Sequence, residues 1–223
     1  MIEFIVGILT NRDVNKLKRC LNSCGSHEKF VVCNTLDKAY EAKARELVAS
    51  YQLPFFSTES NGTPGKGKNS LLDIFYDTGC EYLIPIDGDD YYSEGAIDRI
   101  KELVSENKPT ALLQTKIYMP NNKTLAESVA QLHSSKRKII QKNVRGFVPE
   151  RLLCVSSSYK IRYQEDTIIY EDVMVNEKIS GALKTDEPLY MWDLTLNGCV
   201  GQFYSYDVEK IEKILKKTLD FIS

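Results

Sequence analysis

The chain is poor in the residues that most often carry chemistry at neutral pH. It has two histidines, His27 and His133, and one tryptophan, Trp192, in 223 residues. Neither histidine lies at a spacing that implicates it as a base or a ligand. The six cysteines, at 20, 24, 33, 80, 154 and 199, lack the paired C-x-x-C spacing of zinc or redox sites. A chain of this size needs no disulfides, so they read as reduced thiols that fill the core. No run approaches the roughly 18 consecutive apolar residues of a membrane span. Met1 to Leu9 is too short and too poor in basic residues for a signal peptide. These absences predict a soluble, cytoplasmic protein. A net charge of -2 gives no global pull toward nucleic acid, so an anionic partner must be held by a local patch. There is no internal repeat and no low-complexity segment. With 43% hydrophobic residues the chain can bury a substantial core as one domain over residues 1–223.

What is present centres on Tyr82-Leu83-Ile84-Pro85-Ile86-Asp87-Gly88-Asp89-Asp90-Tyr91-Tyr92, an apolar run that stops at three carboxylates within four residues. An apolar run bounded by turn formers suits a strand covered on both faces, and such strands deliver their last residues to the ligand crevice of an open α/β sheet. Three neighbouring carboxylates repel one another unless a cation compensates. Oxygen-only ligands suit Mg²⁺ or Mn²⁺, which bridge phosphates while keeping some water. An ordinary acidic turn is the plainer alternative. An EF-hand begun at Asp87 fails, because its glycine position falls on Tyr92 and a ligand position on Tyr91.

Periodicity predicts alternating strands and helices. Ile2 to Leu9, Lys29 to Cys33 and Leu53 to Ser57 read as strands, and Val14, Leu17 and Leu21 fall at helical spacing. Asp37 is placed to cap a helix with the stripe Tyr40, Ala44, Leu47, Val48 and Tyr51. A helix carrying Leu71, Leu72, Phe75 and Tyr76 ends at Gly79. Ser93 is placed to cap another, with Ile97, Ile100, Leu103 and Val104, stopped by Pro109. Ala111 to Met119 and Tyr190 to Leu194 read as strands, and Val208 to Ile222 as a C-terminal helix. This order predicts an α/β fold with a mostly parallel, Rossmann-like sheet flanked by helices.

Gly62-Thr63-Pro64-Gly65-Lys66-Gly67-Lys68-Asn69 matches the phosphate-binding loop G-x-x-x-x-G-K-[ST] everywhere but the last position. With Asp87 it assembles a rival reading, a nucleotide-hydrolysing site. Against it, Asn69 offers an amide where Mg²⁺ needs a hydroxyl, and Pro64 removes one N–H from the cradle.

Taken together, the residues resemble the family-2-like glycosyltransferases with the GT-A fold, from Phe4 to about Lys184. Thr10-Asn11-Arg12 followed by Leu17-Lys18-Arg19-Cys20-Leu21 looks like the family's opening "T-x-N-R … L-x-x-x-L". Val31 to Thr35 sits at its second strand and nucleoside-binding turn, with Asn34 where Asp is usual. Asn61-Gly62 followed by Gly67-Lys68-Asn69-Ser70 is similar to "N-x-G … A-R-N-x-G", and Asp87-Gly88-Asp89-Asp90 matches D-x-D. Glu165-Asp166 through Tyr170-Glu171-Asp172-Val173, followed by Gly181, looks like the acceptor-side "E-D" element. A plain helix cap by Glu171 and Asp172 over Val173 to Ile179 is the alternative.

The resemblance implies a nucleotide-sugar donor half, 1–109, and an acceptor half with a C-terminal helix, 110–223. It implies an inverting, metal-dependent transfer from a nucleoside-diphosphate sugar, UDP foremost, to a hydroxyl. Asp89, with Asp87, would hold Mn²⁺ or Mg²⁺; Thr10, Asn11, Arg12, Asn34, Lys68, Asn69, Asp87 and Gly88 would meet the donor. Asp172, beside Glu171, would be the base, and Asp90, Tyr91 and Trp192 would face the acceptor. A sugar-nucleotide binding module without catalysis is the further alternative. On the acceptor the clue is Lys136 to Arg162, with Lys136, Arg137, Lys138, Lys142, Arg145, Arg151, Lys160 and Arg162 against Glu150. As one surface it would favour an anionic acceptor, a phosphorylated saccharide, a lipid phosphate or DNA. Small size is also similar to phage glycosyltransferases that decorate hydroxymethylated DNA bases, which would place the protein in a host cytoplasm. Cell-surface saccharide assembly is the commoner use of the family.

Overall fold

The computed structural model describes residues 2–146 and 150–222. Its first part runs β1 (Phe4–Thr10), α1 (Val14–Ser23), β2 (Lys29–Asn34), α2 (Lys38–Ser50), β3 (Phe55–Thr58), α3 (Pro64–Thr78) and β4 (Tyr82–Asp87). There follow β5 (Tyr91–Tyr92), α4 (Ala96–Asn107), β6 (Ala111–Gln114), α5 (Leu125–Leu132), α6 (Arg137–Gly146) and β7 (Arg151–Ser156). The remainder comprises α7 (Glu171–Asn176), β8 (Leu183–Thr185), β9 (Tyr190–Met191), α8 (Cys199–Ser205) and α9 (Val208–Ile222). Seven strands form one sheet in the order β3-β2-β1-β4-β7-β6-β8, and β5 pairs with β9 beside it.

Parallel pairing of β1 with both β2 and β4 brings the ends of these three strands to one edge. Thr10, Asn34 and Asp87 therefore end up together although far apart in sequence. β7 runs antiparallel to β4, with Tyr82 opposite Ser156 and Leu83 opposite Val155, so its first residue, Arg151, arrives at the end of β4 near Asp87.

Alternation along the strands sorts the core into two layers. Val6, Ile8, Val31 and Ile84 face α1, α2 and α4, packing on Leu17, Tyr40, Val48 and Ile100. Ile5, Val32 and Leu83 face α3, packing on Leu71, Leu72 and Phe75. A third cluster joins α5 to α9 through Val129, Ile140, Val173, Phe203 and Ile211. Cys20, Cys24, Cys33 and Cys154 are buried and free, as expected of core filler, while Cys80 and Cys199 are only half-buried.

Asp37 caps α2 by accepting from the Ala39 and Tyr40 amides, and Gly79 ends α3 with φ of 79°, both as the sequence suggests. Four elements differ. Ser93 does not cap α4: Gly95 occupies that position at φ 74°, and the Ser93 hydroxyl donates to the Pro188 carbonyl. The strand expected over Ala111 to Met119 stops at Gln114, whose buried side chain takes over as partner of the Lys116 carbonyl and the Leu189 and Tyr190 backbone. The strand from Tyr190 ends at Met191, because the next amides donate to the Tyr118 carbonyl and the Asp90 carboxylate. The helix expected over Val173 to Ile179 is α7, which starts two residues earlier and ends at Asn176. Among the described residues no helix is long and apolar enough to cross a membrane.

Candidate active site

The segment Gly62 to Asn69 is not a phosphate loop. From Pro64 it is already helix, with Pro64 at the first position, where its missing N–H costs nothing, and the Thr63 hydroxyl accepting from the Lys66 amide at 3.4 Å. Its glycine and asparagine serve docking. A Cβ on Gly65 would lie 1.9 Å from the Gln164 carbonyl oxygen, so only glycine permits the approach. The Asn69 amide donates to the Tyr163 carbonyl at 3.0 Å and to Glu165 Oε1 at 2.8 Å, and its oxygen accepts from the Tyr163 amide at 2.8 Å. Thr63 and Asn61 both donate to the Glu165 carbonyl. The start of α3 is thus fastened to the irregular segment that leads into α7.

That fastening sets Lys68 against the acidic pair. Its Nζ lies 2.7 Å from Glu171 Oε1 and 2.5 Å from Asp172 Oδ1, and on the other side Arg151 Nη1 lies 2.9 Å from Asp172 Oδ2 and 3.9 Å from Asp87. Burial works to raise the Asp172 pKa, but the two cations outweigh it and hold the carboxyl below its ordinary range. Glu171 moves the other way: burial raises its pKa, with Lys68 opposing. Burial would strip Lys68 of its proton, yet Asp172, Glu171 and Asp87 keep it charged, with a pKa well above normal. The Arg151 guanidinium also stacks on Trp192, 4.4 Å from the ring centroid, and its Nε is buried without a hydrogen-bond partner.

These groups line one cavity with Asn11, Arg12, Asp89 and Trp192. Asn11 is exposed and accepts from Arg12 Nε at 2.9 Å. Arg12 donates to the Asn197 carbonyl and to Cys199 Sγ, tying the end of β1 to the start of α8. Asp89 has a raised pKa, first from burial and then from repulsion by Asp87.

Other expected site residues stand behind the cavity. Thr10 is buried, its hydroxyl bonded to the Tyr40 hydroxyl. The buried Asn34 amide donates to Thr58 Oγ1 and the Glu59 carbonyl, both at 2.9 Å, and so holds the turn after β3. Gly88 lies against β1, its amide donating to the Leu9 carbonyl at 2.6 Å. Asp90 is 1% exposed and accepts from the Tyr190 hydroxyl at 2.6 Å and the Asp193 amide at 2.8 Å, which makes it a strut for β9 and not part of the cavity wall. Tyr91 lies under the Arg19 guanidinium, 4.4 Å away. The basic stretch from Lys136 to Arg162 does not form one surface. Arg151 is buried at the site, Lys136 donates to the Tyr204 and Tyr206 carbonyls, and Arg162 pairs with Asp73 on α3. The side chain of Arg145 lies outside the described residues.

No three or more His, Cys, Asp or Glu residues cluster as a ready metal cage among the described residues. Of the carboxylates that line the cavity, Asp87 and Asp89 at the end of β4 instead fit a hard ion that takes one or two carboxylates and draws its other ligands from phosphate and water.

The architecture superposes on S. aureus TarS residues 1–349 in complex with UDP-GlcNAc with a TM-score of 0.66 over 99% of this chain, at 17% identity. The fold is GT-A. The TarS 1–349 complex with UDP gives 0.60 over 98% of the chain, and a longer TarS structure 0.60 over 99%, each at 18% identity. No protein-family model matches the sequence, and no curated protein matches it. The resemblance to family-2-like glycosyltransferases therefore holds as a likeness of GT-A fold. The chain spans 43% of the longer TarS structure and 66% of the UDP-GlcNAc complex.

Sequence reasoning missed Arg151 as a cavity residue, and with it Cys199, whereas Trp192 and Asp193 line the cavity as the sequence suggested. Arg151 did carry a signal, as a lone cation heading the apolar run Arg151-Leu152-Leu153-Cys154-Val155. Cys199 carried none, because its place depends on how α8 folds back over β1.

Proposed function

We propose that the chain is an inverting, metal-dependent glycosyltransferase that moves a sugar from a UDP-sugar to a hydroxyl acceptor. One observation carries this reading. At the carboxyl edge of a GT-A sheet, a single cavity gathers Arg12, Lys68, Asp87 and Asp89 with the pair Glu171 and Asp172. The TarS complexes with UDP and UDP-GlcNAc make UDP the first nucleotide to test.

In this reading the acceptor oxygen bonds the anomeric carbon as the bond to the diphosphate oxygen breaks. The acceptor proton passes to Asp172, and the negative charge settles on the diphosphate beside Lys68 and Arg12. Asp89 and Asp87 would hold Mn²⁺ or Mg²⁺, which neutralises charge on the leaving diphosphate. Lys68 has a double part. While it holds Asp172 Oδ1 at 2.5 Å the base is occupied, and a diphosphate offers Lys68 a competing anion whose arrival would release that oxygen.

The occupied carboxylate also favours a second reading, a module that binds the sugar nucleotide without turning it over. Thermal denaturation with UDP and UDP-GlcNAc, with and without Mn²⁺, tests binding, and release of UDP tests turnover. A ligand at 100 times its Kd adds about 2.7 kcal/mol, or roughly 5–10 °C for a domain of this size. Asp172→Asn should keep that shift and lose turnover. Binding without turnover by the wild type supports the module, and absence of any shift removes both readings.

A further inference from the structure

The cavity has two unlike walls. One is charged, built from the ends of β1 and β4 with Lys68, Arg151, Glu171 and Asp172. The other belongs wholly to the acceptor half and is aliphatic: Leu125 of α5, Ile168 and Ile169 before α7, Leu194, and Val200 of α8. Leu125, Ile168, Leu194 and Val200 pack their inner sides on the third core cluster and stay half-buried, so their outer sides line the cavity. Leu196, 53% exposed, stands two residues after Leu194. This wall offers apolar surface in the same space as the Asp172 carboxylate.

Charge decides what can lie against it. Three cations, Arg12, Lys68 and Arg151, line the cavity against five carboxylates, Asp87, Asp89, Glu171, Asp172 and Asp193. Lys68 and Arg151 are committed to Glu171 and Asp172, and the free Nε of Arg151 is closed off from solvent. Arg12, from the donor half, is held by Asn197 and Cys199, and in the proposed function it serves the diphosphate. The two cations of Asp193, Lys16 and Arg19, are not among the lining residues. No lining cation among the described residues is left for an anionic acceptor.

Resting on the glycosyltransferase reading, we propose that the acceptor is an uncharged alcohol whose hydroxyl sits on an apolar framework, which covers the aliphatic wall while the hydroxyl reaches Asp172. A phosphorylated or carboxylated acceptor would bring like charge to a cavity already rich in carboxylates. A small polyol would leave the wall uncovered.

A matched set of probes tests this on the full chain with UDP and Mg²⁺: benzyl alcohol, its anionic analogue 4-(hydroxymethyl)benzoate, and glycerol. Saturation-transfer NMR should show benzyl alcohol bound through its ring protons, at least about tenfold more tightly than either other probe, a difference of about 1.4 kcal/mol. Val200→Asp should abolish that signal, and Val200→Ile should keep it. A UDP-induced rise in Tm, followed on the wild type, reports on the donor site separately. If that rise is present while 4-(hydroxymethyl)benzoate or glycerol binds as well as benzyl alcohol, or while benzyl alcohol does not bind, the acceptor inference is overturned and the donor reading stands. If the rise is absent, the glycosyltransferase reading fails and this inference with it.

Discussion

Replacing Lys68 with methionine tests the central charge network, and the expected size of the effect follows from the geometry. The amine lies 2.7 Å from Glu171 and 2.5 Å from Asp172, with side chains 12%, 9% and 17% exposed respectively. Asp172 loses Lys68 but keeps Arg151 at 2.9 Å, a cation that still favours its ionised form. Glu171 loses the cation that opposes its burial, so its pKa, already raised, rises further and the folded protein takes up a proton. The Glu171 share of the cost cannot exceed that of neutralising an ordinary glutamate, about 3.7 kcal/mol at pH 7 and about 1 kcal/mol at pH 5, from roughly 1.36 kcal/mol per unit above a pKa of about 4.3. The sign is fixed: a carboxyl whose folded pKa lies above its unfolded value makes the folded state hold the extra proton, so stability falls as pH rises through that window. Asp172 acts oppositely in the wild type, its lowered pKa adding stability that is lost only as pH falls toward the folded value. The wild type should therefore melt up to roughly 7–15 °C above Lys68→Met at pH 7 and only about 2–4 °C above it at pH 5. Lys68→Arg, which keeps the charge, should show a smaller gap. Parallel thermal scans between pH 5 and 7.5 decide the matter. A gap that does not change with pH would refute the claim that Lys68 neutralises a buried Glu171.

The sequence made the strand and helix order legible because each element has its own local signal: the apolar runs at Lys29 to Cys33 and Tyr82 to Ile86, the stripe ending at Tyr51, the caps at Asp37 and Gly79. The acidic strand end at Asp87 was readable for the same reason. What local pattern could not show was which of its neighbours would face the cavity. Asp89 and Asp90 are adjacent and chemically alike, yet one lines the cavity and the other is held by Tyr190, a hundred residues away. Asn69 matched a donor-binding pattern, whereas its amide fastens α3 to Tyr163 and Glu165. The eight basic residues between Lys136 and Arg162 suggested one surface in sequence. Antiparallel β7 instead carries Arg151 into the interior beside Asp172, while the side chain of Arg162 leaves toward Asp73. In each case a contact between residues far apart in sequence decides the orientation, and no local periodicity encodes it.

Two further perturbations separate docking from charge. Gly65→Ala puts a Cβ into the Gln164 carbonyl, which cannot give way without the backbone moving, so it should cost about 1–3 kcal/mol or more and lower the Tm accordingly. An unchanged Tm would mean that the approach of α3 to residues 163–165 is looser than the geometry shows. Under the proposed function, metal dependence is the outcome expected from the charges lining the cavity. With five carboxylates against three cations, the cavity repels a diphosphate that arrives alone. UDP should therefore stabilise the wild type in Mn²⁺ far more than in EDTA. Asp89→Ala removes one of those negative charges together with a carboxylate expected to hold the ion. It should thus lose the gain from Mn²⁺ while binding UDP in EDTA at least as well as the wild type does. Mere loss of a structural residue would weaken binding under both conditions, so the opposite responses are diagnostic. If the wild type binds UDP equally well in EDTA and in Mn²⁺, the carboxylates at the end of β4 have another purpose.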